Sequence, residues 1–105
     1  MSEISGIIII MVKTAKHRKA MALVLEELHL YKEKHGCFDC RNHFPHYVLE
    51  FDHKPEFIKI DVVYRVLRNY GPQAAWEEVA KCDVVCANCH KIRTYQRENE
   101  KYNGL

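Results

Sequence analysis

The sequence predicts a small α+β domain, and three observations predict it. Two C-x-x-C pairs, Cys37-Phe38-Asp39-Cys40 and Cys86-Ala87-Asn88-Cys89, bracket the centre of the chain. Between them, Leu49-Glu50-Phe51-Asp52-His53 reads as a strand ending in two polar, metal-capable residues. Before, between and after the pairs, apolar residues recur at helical spacing. At 105 residues the chain is one domain, near the lower end of what a single core stabilises unaided. The four paired cysteines are able to close one tetrahedral zinc site, a usual remedy for a small core. Residues 13–105 are therefore expected to form one zinc-stabilised domain, with residues 1–12 an apolar arm or short strand.

Each element has its own warrant. Ile7-Ile8-Ile9-Ile10-Met11-Val12 is mostly β-branched and suits a short strand, a core segment, a tail, or an arm docked on the body or on a second copy. Residues 14–34 read as a helix, because Met21, Val24, Leu25, Leu28 and Tyr31 make one apolar stripe. Lys13, Lys16, Arg18 and Lys19 crowd its first turns, the unfavourable end of the macrodipole for cations. Gly36 stops the helix just before the first cysteine pair. Residues 41–46 carry a proline and read as a turn, and residues 47–52 as a strand. Residues 61–70 form a short helix with Val63, Val66, Leu67 and Tyr70 on one face. Gly71 ends it and Pro72 opens the next, whose buried side is Ala75, Trp76, Val79 and Ala80. Residues 82–87 return as a strand and the second cysteine turn. Residues 90–101 are helical, with Ile92, Tyr95 and Tyr102 as a weak apolar stripe.

The formal net charge is +2, too mild by itself to argue for a nucleic-acid partner. Four thiolates with one Zn²⁺ lower it to about 0, and a second divalent ion returns it to about +2. No basic n-region precedes the apolar run at residues 7–12, and six residues are far short of the ~20 that span a bilayer. The cysteines are thus expected to be reduced, in a cytoplasmic compartment, with a disulfide framework as the rival reading. Cys82 is left over in the four-ligand scheme.

A two-residue gap lets both thiolates of a tight turn face one ion at about 2.3 Å, and two such turns complete a tetrahedron. A closed site of this kind is structural. Asp52 is a hard oxygen ligand suited to Mg²⁺ or Mn²⁺, and the imidazole of His53 can take a proton from water. A solvated Asp-His loop is the plainer alternative. His90 follows the last cysteine, and Arg93, Arg97 and Lys101 follow it at spacings of three, seven and eleven. They share its helical face within about 60°, a basic stripe aligned to hold a phosphodiester backbone. A solvated helix is again the alternative.

Together, Cys37-x2-Cys40, Leu49-Glu50-Phe51-Asp52-His53 and Cys86-Ala87-Asn88-Cys89-His90 resemble the HNH endonucleases, and more narrowly their small phage-type branch with a four-cysteine zinc site. The resemblance covers residues 36–97. It implies a ββα-metal (His-Me finger) fold, two strands and a helix clasping one catalytic Mg²⁺ or Mn²⁺, here with additional helices. It makes Cys37, Cys40, Cys86 and Cys89 the structural zinc ligands, His53 the general base, and Asp52 and His90 the catalytic metal ligands. The family's middle asparagine, which orients the catalytic histidine, often lies a few residues before the second cysteine pair, where this chain reads Ala80-Lys81-Cys82-Asp83, so the resemblance makes Asn88, the only nearby asparagine, the candidate for that catalytic role. The helical stretch 61–81 likewise fills a gap that is often a shorter loop. The implied activity is hydrolysis of DNA to 5′ phosphate and 3′ hydroxyl ends, in a host cytoplasm if the protein is phage-encoded. The implied partners are double-stranded DNA and phage DNA-packaging proteins, with no membrane, for a monomer or weak dimer.

Two other functions fit the same residues. One is a non-catalytic zinc-ribbon that binds DNA or protein, which has no need of Asp52, His53 and His90 together. The other is a nuclease specific for branched DNA on the same fold, separable only by a substrate panel.

Overall fold

Two five-residue strands form the centre of the molecule, β1 (Leu49–His53) and β2 (Cys82–Cys86). They pair antiparallel, with Leu49 opposite Cys86, Phe51 opposite Val84, Asp52 opposite Asp83 and His53 opposite Cys82. The computed structural model describes residues 15–103 and shows four α-helices among them: α1 (Ala15–His35), α2 (Val63–Tyr70), α3 (Pro72–Val79) and α4 (Ala87–Asn103). The class is α+β, as expected. Helices α2 and α3 are inserted between the strands, and α4 follows β2 without a gap. The apolar stretch 7–12 lies outside the described residues.

Side chains alternate across a strand, so β1 has two different faces. Phe51 packs toward α1–α3, against a cluster of Leu28, Val63, Leu67, Ala75 and Val79. A second cluster, Cys37, Leu49, Val84, Val85, Cys86 and Cys89, sits at the other end of the sheet. Tyr31 and Phe51 touch both clusters and join them. The opposite face carries Glu50 and Asp52, and here α4 turns its polar side inward. Ile92 and Tyr95, expected to be an apolar stripe, are exposed. The reason is electrostatic: the sheet face they would have covered is acidic, so His90, Arg93 and Arg97 face it instead.

Lys32 is a buried lysine on α1 that the apolar pattern did not reveal. Its ammonium donates to Leu49 O at 3.0 Å and lies 5.5 and 5.1 Å from the Phe51 and Tyr64 ring centres. Burial pushes its pKa down, while Glu50 and Glu33 oppose the shift. The cation thus ties α1 to the first strand through the backbone and two ring faces.

Several boundaries move for identifiable reasons. The strand begins at Leu49 rather than residue 47, because His46–Val48 form a 3₁₀ turn closed by Val48 N to Pro45 O at 3.0 Å. Helix α2 begins at Val63 rather than residue 61, Tyr70 is exposed although it follows the face of Val63, Val66 and Leu67, and Ala80 is exposed rather than buried. Helix α4 begins at Ala87 rather than residue 90, so the second cysteine turn is its first turn. Gly36 behaves as expected. Its φ is 68°, its N–H closes α1 onto Lys32 O, and an added Cβ would meet Asn42 O at 2.9 Å. A side chain there would force the first cysteine turn away from the helix that leads into it.

Candidate metal centre and the adjoining Asp52 site

The sheet and two turns bring the four paired cysteines together. Cys37 and Cys40 lie just after α1, Cys86 ends β2, and Cys89 sits one turn into α4. Their Sγ atoms all lie within 4.8 Å of one another, a cluster that could hold a metal ion. Phe38 N donates to Val84 O at 2.8 Å, which pins the first turn to β2. The Cys89 N–H points at Cys86 Sγ at 3.4 Å, and the Cys40 N–H serves Cys37 in the same way. Burial works against the Cys37 thiolate, but the Cys40, Cys86 and Asp39 backbone groups favour it and lower that pKa to about 6. Cys89 is pushed up to about 12 by burial and by its three neighbouring thiols. Thiols this close cannot all ionise without a cation among them. Four soft sulfur donors at this spacing are consistent with structural zinc. Cys82 stands apart: its S–H points at Glu78 O at 3.3 Å, and burial raises it to about 12, which keeps it protonated and inert.

Beside the cysteines, Asp52 is the hub of a charged network. It is only 4% exposed. Its Oδ1 lies 3.4 Å from His90 Nε2, so strand and helix bring these two residues together. His90 Nδ1 in turn lies 3.2 Å from Glu50. Asp52 also accepts from Arg97 through both Nη atoms at 2.9 Å, and from Arg93 Nη1 at 2.8 Å. Burial would raise its pKa, but Arg97 first and Arg93 next outweigh that, and it falls below the usual carboxylate range. Arg93 reaches further, to Asp83 at 3.1 Å and with two bonds to Asp39 in the first cysteine turn. It therefore couples the cysteine cluster to the sheet.

The expected basic stripe is thus only partly free. Arg93 and Arg97 are turned onto carboxylates, while Lys101 is exposed at the far end of α4. Replacing Arg93 by alanine leaves Asp52, Asp39 and Asp83 short of a cation. The expected loss is about 3 kcal/mol by chemical denaturation, larger than that for Arg97→Ala, whose guanidinium is more exposed. Equal losses for the two variants would show that the bridge from the sheet to the cysteine turn contributes nothing.

His53 lies on the other face. Its Nε2 is 2.8 Å from Glu78 Oε2 on α3, and its side chain is only 10% exposed. Glu78, 1% exposed, also accepts from Ile60 N at 3.0 Å and Lys81 Nζ at 2.8 Å. Burial would raise the Glu78 pKa, but Lys81, the Ile60 N–H and His53 together hold it below the ordinary value. Asn88 is exposed on the first turn of α4, and the side chain bonded to His53 is Glu78 instead.

No family model, curated protein or solved structure matches this chain.

The motif residues and their surroundings were thus unequally visible in advance. The cysteine set follows from spacing, whereas the approach of Asp52 and His90 is expected only from the resemblance. Glu78 and Asp39 did not stand out, because single acidic residues on a helix and in a turn normally face water. One signal was available for Glu78: it stands beside Val79 on the apolar side of an eight-residue helix.

Proposed function

We propose that this chain is a metal-dependent DNA endonuclease or nickase of the HNH type, with β1, β2 and α4 serving as a ββα-metal unit. The observation that carries it is the approach of Asp52 and His90 to 3.4 Å at the junction of β1 and α4, beside a four-cysteine cluster. A carboxylate oxygen and an imidazole nitrogen are the donors a catalytic Mg²⁺ or Mn²⁺ takes from this motif. Such an ion would neutralise charge on the scissile phosphate and on the leaving 3′ oxygen. It would compete with Arg97 for Asp52, which frees a guanidinium to hold a phosphate. Lys101 extends the same helix toward the backbone of double-stranded DNA. His53 serves as the base for the attacking water. The four cysteines, holding zinc, fix the start of α4 and with it the distance from His90 to Asp52.

A second reading has its own support. Asp52 accepts three hydrogen bonds from two arginines, and His53 is bonded to a buried carboxylate. Both motif residues have structural partners, as a non-catalytic zinc module that binds DNA or protein would require. Plasmid nicking with and without Mg²⁺ or Mn²⁺ separates the two. Metal-dependent conversion of supercoiled to open-circle DNA, lost in Asp52→Ala, supports the nuclease. Inactivity with both ions, alongside retained zinc and DNA binding, supports the module.

A further inference from the structure

Glu78 is the most deeply buried acidic side chain among the described residues, and nothing in the motif accounts for it. Its two oxygens have separate partners. Oε1 takes Lys81 Nζ, while Oε2 takes the Ile60 N–H and His53 Nε2. An ionised carboxylate only accepts hydrogen bonds. The ring nitrogen facing it must therefore carry a proton, and the lone pair of neutral His53 must sit on Nδ1.

We infer that Glu78 is a positioning residue, holding the His53 imidazole with Nε2–H toward α3 so that Nδ1 is the atom that accepts a proton from the attacking water. This rests on the nuclease reading above. In the step it supports, the water oxygen bonds to phosphorus as Nδ1 takes the water proton. The P–O3′ bond breaks with its electron pair on O3′, which takes a proton from solvent, and His53 later returns its own to solvent. The buried carboxylate stabilises the imidazolium formed in between, as a carboxylate does for a catalytic histidine elsewhere. The same bonds explain why a loop follows β1: Ile60 N and, through Lys81, Ile58 O are tied to the same group.

The test uses the full zinc-loaded chain labelled with ¹⁵N-histidine, at mildly alkaline pH where histidine is neutral. The expected wild-type signal for His53 is the Nε2–H form, with its proton visible, shifted downfield and protected from exchange. In Glu78→Gln that proton should lose its downfield shift, and kcat for nicking should fall about 10²-fold while KM for DNA changes less than about two-fold. Lys81→Arg, which keeps a cation on Glu78 while disturbing the tie to Ile58 O, should keep the His53 signal and cleave within about three-fold of wild type. An Nδ1–H form in the wild type overturns the inference even if Glu78→Gln does not fold. Equal losses of kcat in Glu78→Gln and Lys81→Arg also overturn it, by reducing Glu78 to a loop anchor. A wild type that nicks no DNA with either ion overturns the nuclease reading itself, a result distinct from nicking that ignores Glu78.

Discussion

A domain loaded with zinc at its four cysteines is expected to unfold when the metal is removed. Cys37, Cys86 and Cys89 belong to the same buried cluster as Leu49, Val84 and Val85, so the cysteine cluster is one end of the core and not an appendage. The cluster also joins the segment after α1, the end of β2 and the start of α4. Without an ion, the crowded thiols repel one another as they ionise or must take up protons. Structural zinc sites of this kind contribute about 10–16 kcal/mol of binding free energy, comparable to or larger than the ~5–15 kcal/mol net stability of a typical domain. A strong chelator should therefore abolish the cooperative melt seen by circular dichroism, and added zinc should restore it. Cys37→Ser and Cys89→Ser should be unfolded or aggregated even with zinc present. Elemental analysis should give about one zinc per chain. A chelated protein that keeps its spectrum and melts as before would show that the apolar clusters suffice.

The parts legible in the sequence are those set by local spacing. The two C-x-x-C turns declare their cluster because two thiols that close in sequence have few ways to face apart. The helices between residues 61 and 81 are marked by Gly71 and Pro72, with φ at the glycine of 95°. What stayed hidden depends on partners distant in sequence. Helix α4 has a weak apolar stripe and a charged face, and periodicity alone buries the stripe. The structure buries the charged face instead, because Asp39, Asp52 and Asp83 converge there from a turn and two strands. Lys32 and Glu78 are hidden for the same reason. Each is a charged residue whose burial is offset by bonds to residues 17 to 25 positions away.

His53 is the residue whose replacement should cost the most activity. From the sequence alone it reads as exposed, so that His53→Ala would leave stability unchanged. The structure corrects that expectation. The side chain is tied to a buried carboxylate, and truncation leaves Glu78 one donor short, at a cost of about 1–3 kcal/mol. His53→Gln is the better probe, since its amide can still donate to Glu78 but cannot serve as a base. It should keep its zinc, melt close to wild type and bind duplex DNA with wild-type affinity, because Asp52 and His90 are untouched. Its rate of nicking should fall by about 10²–10⁴, the usual contribution of a positioned general base. Asp52→Ala should also be inactive, but for a different reason. On the nuclease reading it removes a proposed metal ligand, and it leaves Arg93 and Arg97 without their shared acceptor, so it should lose stability as well as activity. Excess Mg²⁺ should recover part of the rate in Asp52→Ala and none in His53→Gln. Nicking by His53→Gln within a few-fold of wild type would remove His53 from the chemistry and leave the Glu78–His53 pair a structural bond between β1 and α3.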